Sequence, residues 1–208
     1  MKIAGLIAAA GTSSRMKFCK ALLAFDNTTF VEHLVKNFIS AEIKPVIVTV
    51  PQQQNPPTPF IKGRLNPETK IQVILNPYPV LQIENQFPAL GLIGSIRSCL
   101  KFLPSDTKHL VIAPIDCPLV SKELLVALTH SASSKLIVIP TFQGRRGHPI
   151  MISQSFFAEL KTKETDLGMK QFLQNHPHLV HEFPWYDEAI LHNINTPEDY
   201  NSLNHLIY

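Results

Sequence analysis

Residues 2–23 read KIAGLIAAAGTSSRMKFCKALL. Lys2–Ala9 is an apolar run with almost no polar break, which predicts a strand buried on both faces, as in a parallel sheet. Five small residues follow, Ala10, Gly11, Thr12, Ser13 and Ser14. Small side chains let backbone N–H groups come close to an anion, so such a turn can cradle phosphate. Arg15, Lys17 and Lys20 come next, and cations just beyond a small-residue turn suit a polyphosphate. The turn is neither GxxxxGK[ST] nor GxGxxG, because Gly11 is the only glycine between Leu6 and Gly63.

Outward from this stretch, apolar strands alternate with helical patterns. Thr28-Thr29-Phe30-Val31-Glu32 predicts a capped helix start, and Val46–Val50 a second buried strand. Ile71–Leu75 reads as a third strand before Asn76-Pro77, and Tyr78–Leu90 as irregular. Gly91–Leu103 reads as a helix, Leu110–Ala113 as a fourth strand, and Ser121 as a helix cap. Leu136–Ile139 reads as a fifth strand stopped by Pro140. Further short strands are expected near Ile150–Ile152, Leu179–Phe183 and Ile190–Asn193. Phe156–Leu160 and Leu167–Leu173 read as helices, and a last helix starts at Pro197. Pro51–Pro59 is a loop. This alternation predicts an α/β fold with a mostly parallel sheet between helix layers, built as one domain over residues 1–208.

In open parallel sheets ligands bind beyond the carboxyl ends of the strands. The Gly11 turn leaves the first strand, and Asp116 lies just past the fourth, inside the proline-bounded segment VIAPIDCPLV. Both are therefore expected on one edge, although about 100 residues separate them. A carboxylate facing a polyphosphate repels it unless Mg²⁺ lies between, and Mg²⁺ takes one or two carboxylates plus phosphate oxygens.

The bulk composition excludes other classes. A net charge of +3 does not point to nucleic acid or a membrane surface. No apolar run approaches the ~18 residues of a membrane span. The three cysteines Cys19, Cys99 and Cys117 show neither metal spacing nor a disulfide framework, which fits a reducing cytoplasm.

Several stretches together carry a resemblance. AAGTSSRMKFCKALL is similar to the LAAGxSxRMGxPKxLL signature of nucleotidyltransferases with the glycosyltransferase-A-like fold, a three-layer, Rossmann-like arrangement. Asn76-Pro77 with GLIGSIRSCL, then PIDCP, GRRGHP (144–149), DLGMKQFL (166–173) and NINTPEDY (193–200) follow in order. This set resembles the MobA-like and MocA-like molybdenum cofactor nucleotidyltransferases. The resemblance implies transfer of a nucleoside monophosphate from CTP or GTP to a phosphorylated acceptor, molybdopterin in the family, with release of pyrophosphate and dependence on Mg²⁺. It also implies a molybdoenzyme or its chaperone as a protein partner.

Carried over residue by residue, it makes Arg15, Lys20 and Asp116 catalytic, with Asp116 the metal ligand. Ala9, Ala10, Gly11, Thr12, Ser13, Asn76 and Gly91 would bind the nucleotide. Ser95, Arg146, His148, Asn193 and Asn195 would face the acceptor. Lys17 stands where the signature has glycine, and Cys19 where it has proline. GRRGHP points to the cytidylyl branch and NINTPED to the guanylyl branch, so the base stays open. The alternatives are a sugar- or polyol-phosphate nucleotidyltransferase and a non-catalytic nucleotide- or cofactor-binding module of the same fold.

Overall fold

A computed structural model describes residues 2–11, 16, 18–52, 67–132, 136–162 and 165–207. β1 (Ile3–Ala8) leads through a small hairpin, β2 (Ala24–Phe25) and β3 (Thr28–Thr29), into α1 (Phe30–Ser40) and β4 (Val46–Val50). Then come α2 (Pro67–Leu75), β5 (Val80–Glu84), α3 (Gly91–Leu100), β6 (His109–Pro114) and α4 (Lys122–His130). β7 (Ile137–Phe142), β8 (Arg145–Arg146), β9 (Ile150–Ser153), α5 (Met169–Asn175), β10 (Val180–Pro184) and α6 (Pro197–Ile207) complete the chain.

The sheet runs β10-β7-β9-β6-β1-β4-β5, with β8 paired to the end of β7. β1 is parallel to β4 and β6, β4 to β5, and β7 to β10. β9 is antiparallel to both β6 and β7, so β7 again points the same way as β6. The carboxyl ends of β1, β4, β5, β6, β7 and β10 therefore share one edge.

Side chains alternate between the faces, as the two-residue period of a strand requires. Ile7, Val46, Val48, Val111 and Ala113 meet α1, α4 and α6 through Leu34, Val35, Leu125 and Leu203. Ala4, Leu6, Ile47, Leu110 and Ile112 meet α3 and α5 through Ile93, Ile96 and Phe172. Each Val, Leu, Ile or Phe among them, fully buried, contributes about 1.5–3 kcal/mol. Two-sided burial is the physical reason β1, β4 and β6 read as unbroken apolar runs. No described helix is long and apolar enough to cross a membrane.

The capping expectations hold. Thr29 Oγ1 accepts from Glu32 N, and Ser121 Oγ from Leu124 N, at the starts of α1 and α4. Other expectations are corrected. Ile71–Leu75 is the end of α2, which buries Ile71 and Leu75 and leaves Gln72 and Val73 exposed. That i, i+4 spacing is helical, and a five-residue apolar window does not distinguish the two periods. The strand lies instead within Tyr78–Leu90, as β5. It is an edge strand with Ile83 buried and Leu81 exposed, so its apolar signal is thin. β7 runs through Pro140, whose carbonyl accepts from Gly147 N beside β8. The missing N–H faces that same side, so pairing with β10 is kept. Phe156–Leu160 is spanned by two 3₁₀ turns, and Glu188–Leu191 is a third, not a strand.

A titration sits in α1. Asn37 Nδ2 donates both to Val120 O at 2.9 Å and to His33 Nε2 at 3.0 Å, so that nitrogen must be unprotonated. Burial lowers the His33 pKa below its ordinary value, Asp26 opposes this, and Lys36 adds to it. Between the folded and unfolded pKa values the unfolded chain binds more protons, so stability rises with pH there. The His33 contribution is complete above about pH 6.5 and is lost as pH falls toward the folded value. Denaturant melts at pH 7.5 and 5.5 should show a steeper acid loss for wild type than for His33→Gln. Equal slopes would remove His33 as a source.

Candidate active site

The strand ladder continues past β1 and β6. Ala8 pairs with Pro114, Ile115 N donates to Ala8 O at 3.1 Å, and Ala9 N donates to Thr49 O at 3.1 Å. Ala10 and Gly11 and the Asp116 turn are thereby delivered side by side at the carboxyl edge. They line one cavity of about 310 Å³ with Lys20, Asn85, Pro88, Gly91, Leu92 and Ser95.

Lys20 opens a 3₁₀ turn, Lys20–Leu22, and is 9% exposed. Its Nζ donates to Asn195 Oδ1 at 2.8 Å, which ties the first loop to the far end of the chain. Asn195 is itself fixed, because Asp199 Oδ2 accepts from Asn195 N and Thr196 N at 2.8 and 2.9 Å. Asp199 N returns a bond to Thr196 Oγ1, and Pro197 follows Thr196 at the first position of α6, a reciprocal cap. The backbone N–H of Asn195, against the opposing effect of burial and with the backbone and hydroxyl of Thr196, holds the Asp199 carboxyl below its ordinary pKa.

Asp116 is half-buried, and its carbonyl accepts from Ile194 N at 2.7 Å. This docks residues 193–195 directly against the Asp116 turn. Cys117 is buried, with Sγ 2.9 Å from Asn193 Oδ1 and 3.7 Å from Asp116 Oδ1. Burial first, then the neighbouring Asp116, pushes the Cys117 thiol well up.

α3 supplies the opposite wall. Gly91 has φ +55° and ψ −129°, a backbone conformation that favours glycine. The helix begins without a side-chain cap, so its first turn presents the positive end of its dipole beside the cavity. Gly94 serves packing, because a Cβ there would lie 1.9 Å from Phe87 O. Arg97, buried, reaches from α3 to Leu160 O at 2.9 Å, to Thr162 O, to Thr165 Oγ1 at 2.8 Å and to Asp166 Oδ1 at 2.6 Å. Asp166 of the DLGMKQFL stretch thus holds α3 in place.

The structure sorts the expected residues. Ala10, Gly11, Lys20, Gly91, Ser95 and Asp116 share the cavity, and Ala9 is buried without lining it. Asn193 and Asn195 flank it through Cys117 and Lys20. Thr12, Ser13 and Arg15 lie outside the described residues. Arg146 is exposed and paired with Glu182 Oε1 at 2.6 Å. His148 is close enough to feel Asp116, which raises its pKa, although burial outweighs this and lowers it. Its backbone N donates to Ile190 O at 3.0 Å.

Asn76 is a correction. It precedes β5 and is exposed at the amino edge of the sheet, away from the cavity. Asn85, just past the carboxyl end of β5, occupies the cavity wall instead and is 3% exposed. Its Oδ1 accepts from Phe87 N at 2.9 Å and Ser98 Oγ at 3.3 Å, and its Nδ2 donates to Ser95 Oγ at 3.4 Å. The signal available in the sequence is a VLQIE strand followed at once by asparagine.

Among the described residues no three or more His, Cys, Asp or Glu side chains gather as a metal cage. One carboxylate suits Mg²⁺ that keeps its waters and arrives with a polyphosphate, not a divalent ion held by protein alone.

The small residues Ala10 and Gly11, a buried lysine and a carboxylate at the carboxyl edge of a doubly wound sheet fit a nucleotide-handling α/β protein. Residues 5–180 match the MobA-like NTP transferase domain, and the chain belongs to that family of nucleotidyltransferases. A probable molybdenum cofactor guanylyltransferase of Bacillus mycoides (strain KBAB4) is 28% identical over 206 residues, 96% of this chain and 94% of that protein. A nucleotidyl transferase from Methanothermobacter thermautotroptrophicus superposes with a TM-score of 0.78 at 19% identity, over 99% of this chain and 97% of that one. Rv0371c of Mycobacterium tuberculosis H37Rv, solved as a complex with manganese, gives 0.75 at 20% identity over 98% of each chain. At these identities the solved structures show the fold.

Proposed function

We propose that this chain transfers GMP from GTP to the terminal phosphate of a molybdopterin-type acceptor, with Mg²⁺, releasing pyrophosphate. The observation that carries the reading is the single cavity joining the Gly11 turn, Lys20, the start of α3 and Asp116. An acceptor phosphate oxygen attacks the α-phosphorus. The bond from that phosphorus to its bridging oxygen breaks, and the electron pair leaves with pyrophosphate. Little covalent work falls to the protein, so positioning and charge stabilisation dominate.

In this reading the backbone of Ala9–Ser13 seats the nucleotide, and Asn85, Gly91 and Ser95 bound its nucleoside end. Lys20, with Arg15, offsets the charge that collects on the departing pyrophosphate. Asp116 would hold Mg²⁺, which when bound neutralises phosphate oxygens as a Lewis acid. His148 faces the acceptor side as a neutral imidazole.

The names of the relatives and NINTPED at 193–199 support GTP. GRRGHP at 144–149 supports CTP as a second reading. A thermal-shift panel of GTP, CTP, ATP and UTP with Mg²⁺ separates them. GTP at 100 Kd should stabilise by about 2.7 kcal/mol, a shift of several degrees. A larger shift with CTP would replace guanylyl by cytidylyl transfer, and no shift with any of the four would overturn nucleotidyl transfer.

A further inference from the structure

Asp116, Cys117 and Asn193 form a chain of contacts beside the cavity. The Cys117 thiol donates to Asn193 Oδ1 at 2.9 Å and lies 3.7 Å from Asp116 Oδ1. The backbone fixes the same register, since Ile194 N donates to Asp116 O. A thiol hydrogen facing a carboxamide sets its sense: Oδ1 is turned inward, and Nδ2, with two N–H donors, points away from the thiol on an exposed residue. A second observation comes from the side of His148. Its Nδ1 is buried with no hydrogen-bond partner among the described residues, within electrostatic reach of Asp116. Such an atom is open to a hydrogen bond with water or with a bound ligand.

We propose that Cys117 is a positioning residue that turns Asn193 so that it meets a phosphate oxygen with N–H, not a metal ion with its carboxamide oxygen. The proposal rests on the nucleotidyl-transfer reading and deepens it. Asp116 then supplies the metal-facing oxygen of the pair, and Asn193 binds the oxyanion.

Calorimetric titration of the full chain tests this with four probes: GTP with Mg²⁺, CTP with Mg²⁺, inorganic phosphate, and Mn²⁺ alone. Cys117→Ala should weaken binding of a triphosphate or of phosphate by about tenfold, the effect of losing one hydrogen bond to a charged group. Loss in the triphosphate arms assigns the oxyanion to the donor nucleotide, and loss in the phosphate arm assigns it to the acceptor. Mn²⁺ alone should bind more tightly, because the freed Oδ1 can join Asp116 as an oxygen ligand. Cys117→Ser, which restores a hydroxyl donor, should return both affinities to within about twofold. Asn193→Asp should likewise lose anion affinity and gain Mn²⁺ affinity.

Opposite signs for anion and metal are the signature, since a folding defect weakens every probe together. Unchanged anion binding in Cys117→Ala, weaker Mn²⁺ binding alongside weaker anions, or full GTP affinity in Asn193→Asp would each overturn the proposal. Wild-type protein that binds neither triphosphate would instead overturn the nucleotidyl-transfer reading.

Discussion

Asp116→Ala is expected to lower the rate of pyrophosphate release on the order of 10³-fold while the protein melts within about 2 °C of wild type. The two halves of that expectation come from different atoms. The backbone of residue 116 carries the structural duty, because its carbonyl holds Ile194 N and its turn extends the β6 ladder. The carboxylate is half-buried in the cavity, and its described side-chain contact is a long 3.7 Å approach to Cys117 Sγ, whose hydrogen goes to Asn193. Removing it leaves little uncompensated in the fold. In the proposed reaction it removes the group that places Mg²⁺ against the triphosphate, an effect of several kcal/mol on the transition state. A coupled pyrophosphate assay and a thermal melt on one preparation decide the matter. Unchanged turnover would take Asp116 out of the mechanism, and a collapsed melt would make it structural.

Lys20→Met should cost roughly tenfold to a hundredfold in triphosphate affinity and almost nothing for guanosine. Lys20 is nearly buried and lines the cavity, where low dielectric strengthens its pull on phosphate. Methionine keeps most of the apolar stem and removes the ammonium. Asn195 Oδ1 then loses its donor, so a stability loss of about 1 kcal/mol accompanies the binding loss. Titrations with GTP and with guanosine separate the two effects. Equal losses for both ligands would mean that Lys20 only braces the loop.

Much of the fold was legible because its strongest signals were physical necessities. β1, β4 and β6 are buried on both faces and could not hide among polar residues. Thr29, Ser121 and Pro197 mark helix starts by chemistry that local sequence states directly. The parallel topology then brought Gly11 and Asp116 together with no contact visible in the sequence. The losses cluster at one edge. α2 and β5 exchanged identities because a short apolar run fits either period and an edge strand has only one buried face. Asn76, expected at the site from its motif, lies before that edge strand, and Asn85, just past it, lines the cavity. Arg146 illustrates a different limit: GRRGHP told of two cations, but only the fold reveals Glu182 opposite, on a strand 36 residues away. Cys117 was invisible as a site neighbour because a lone thiol carries no spacing to read.

The bond from Lys20 to Asn195 crosses 175 positions of sequence. A growing polypeptide lays down its entire sheet by Pro184 yet still lacks that oxygen, along with the Asp199 brace behind it. The Lys20 brace therefore forms only once residues 195–199 have joined the finished sheet. A released chain truncated after residue 190 should keep the sheet and leave Lys20 without its Asn195 partner.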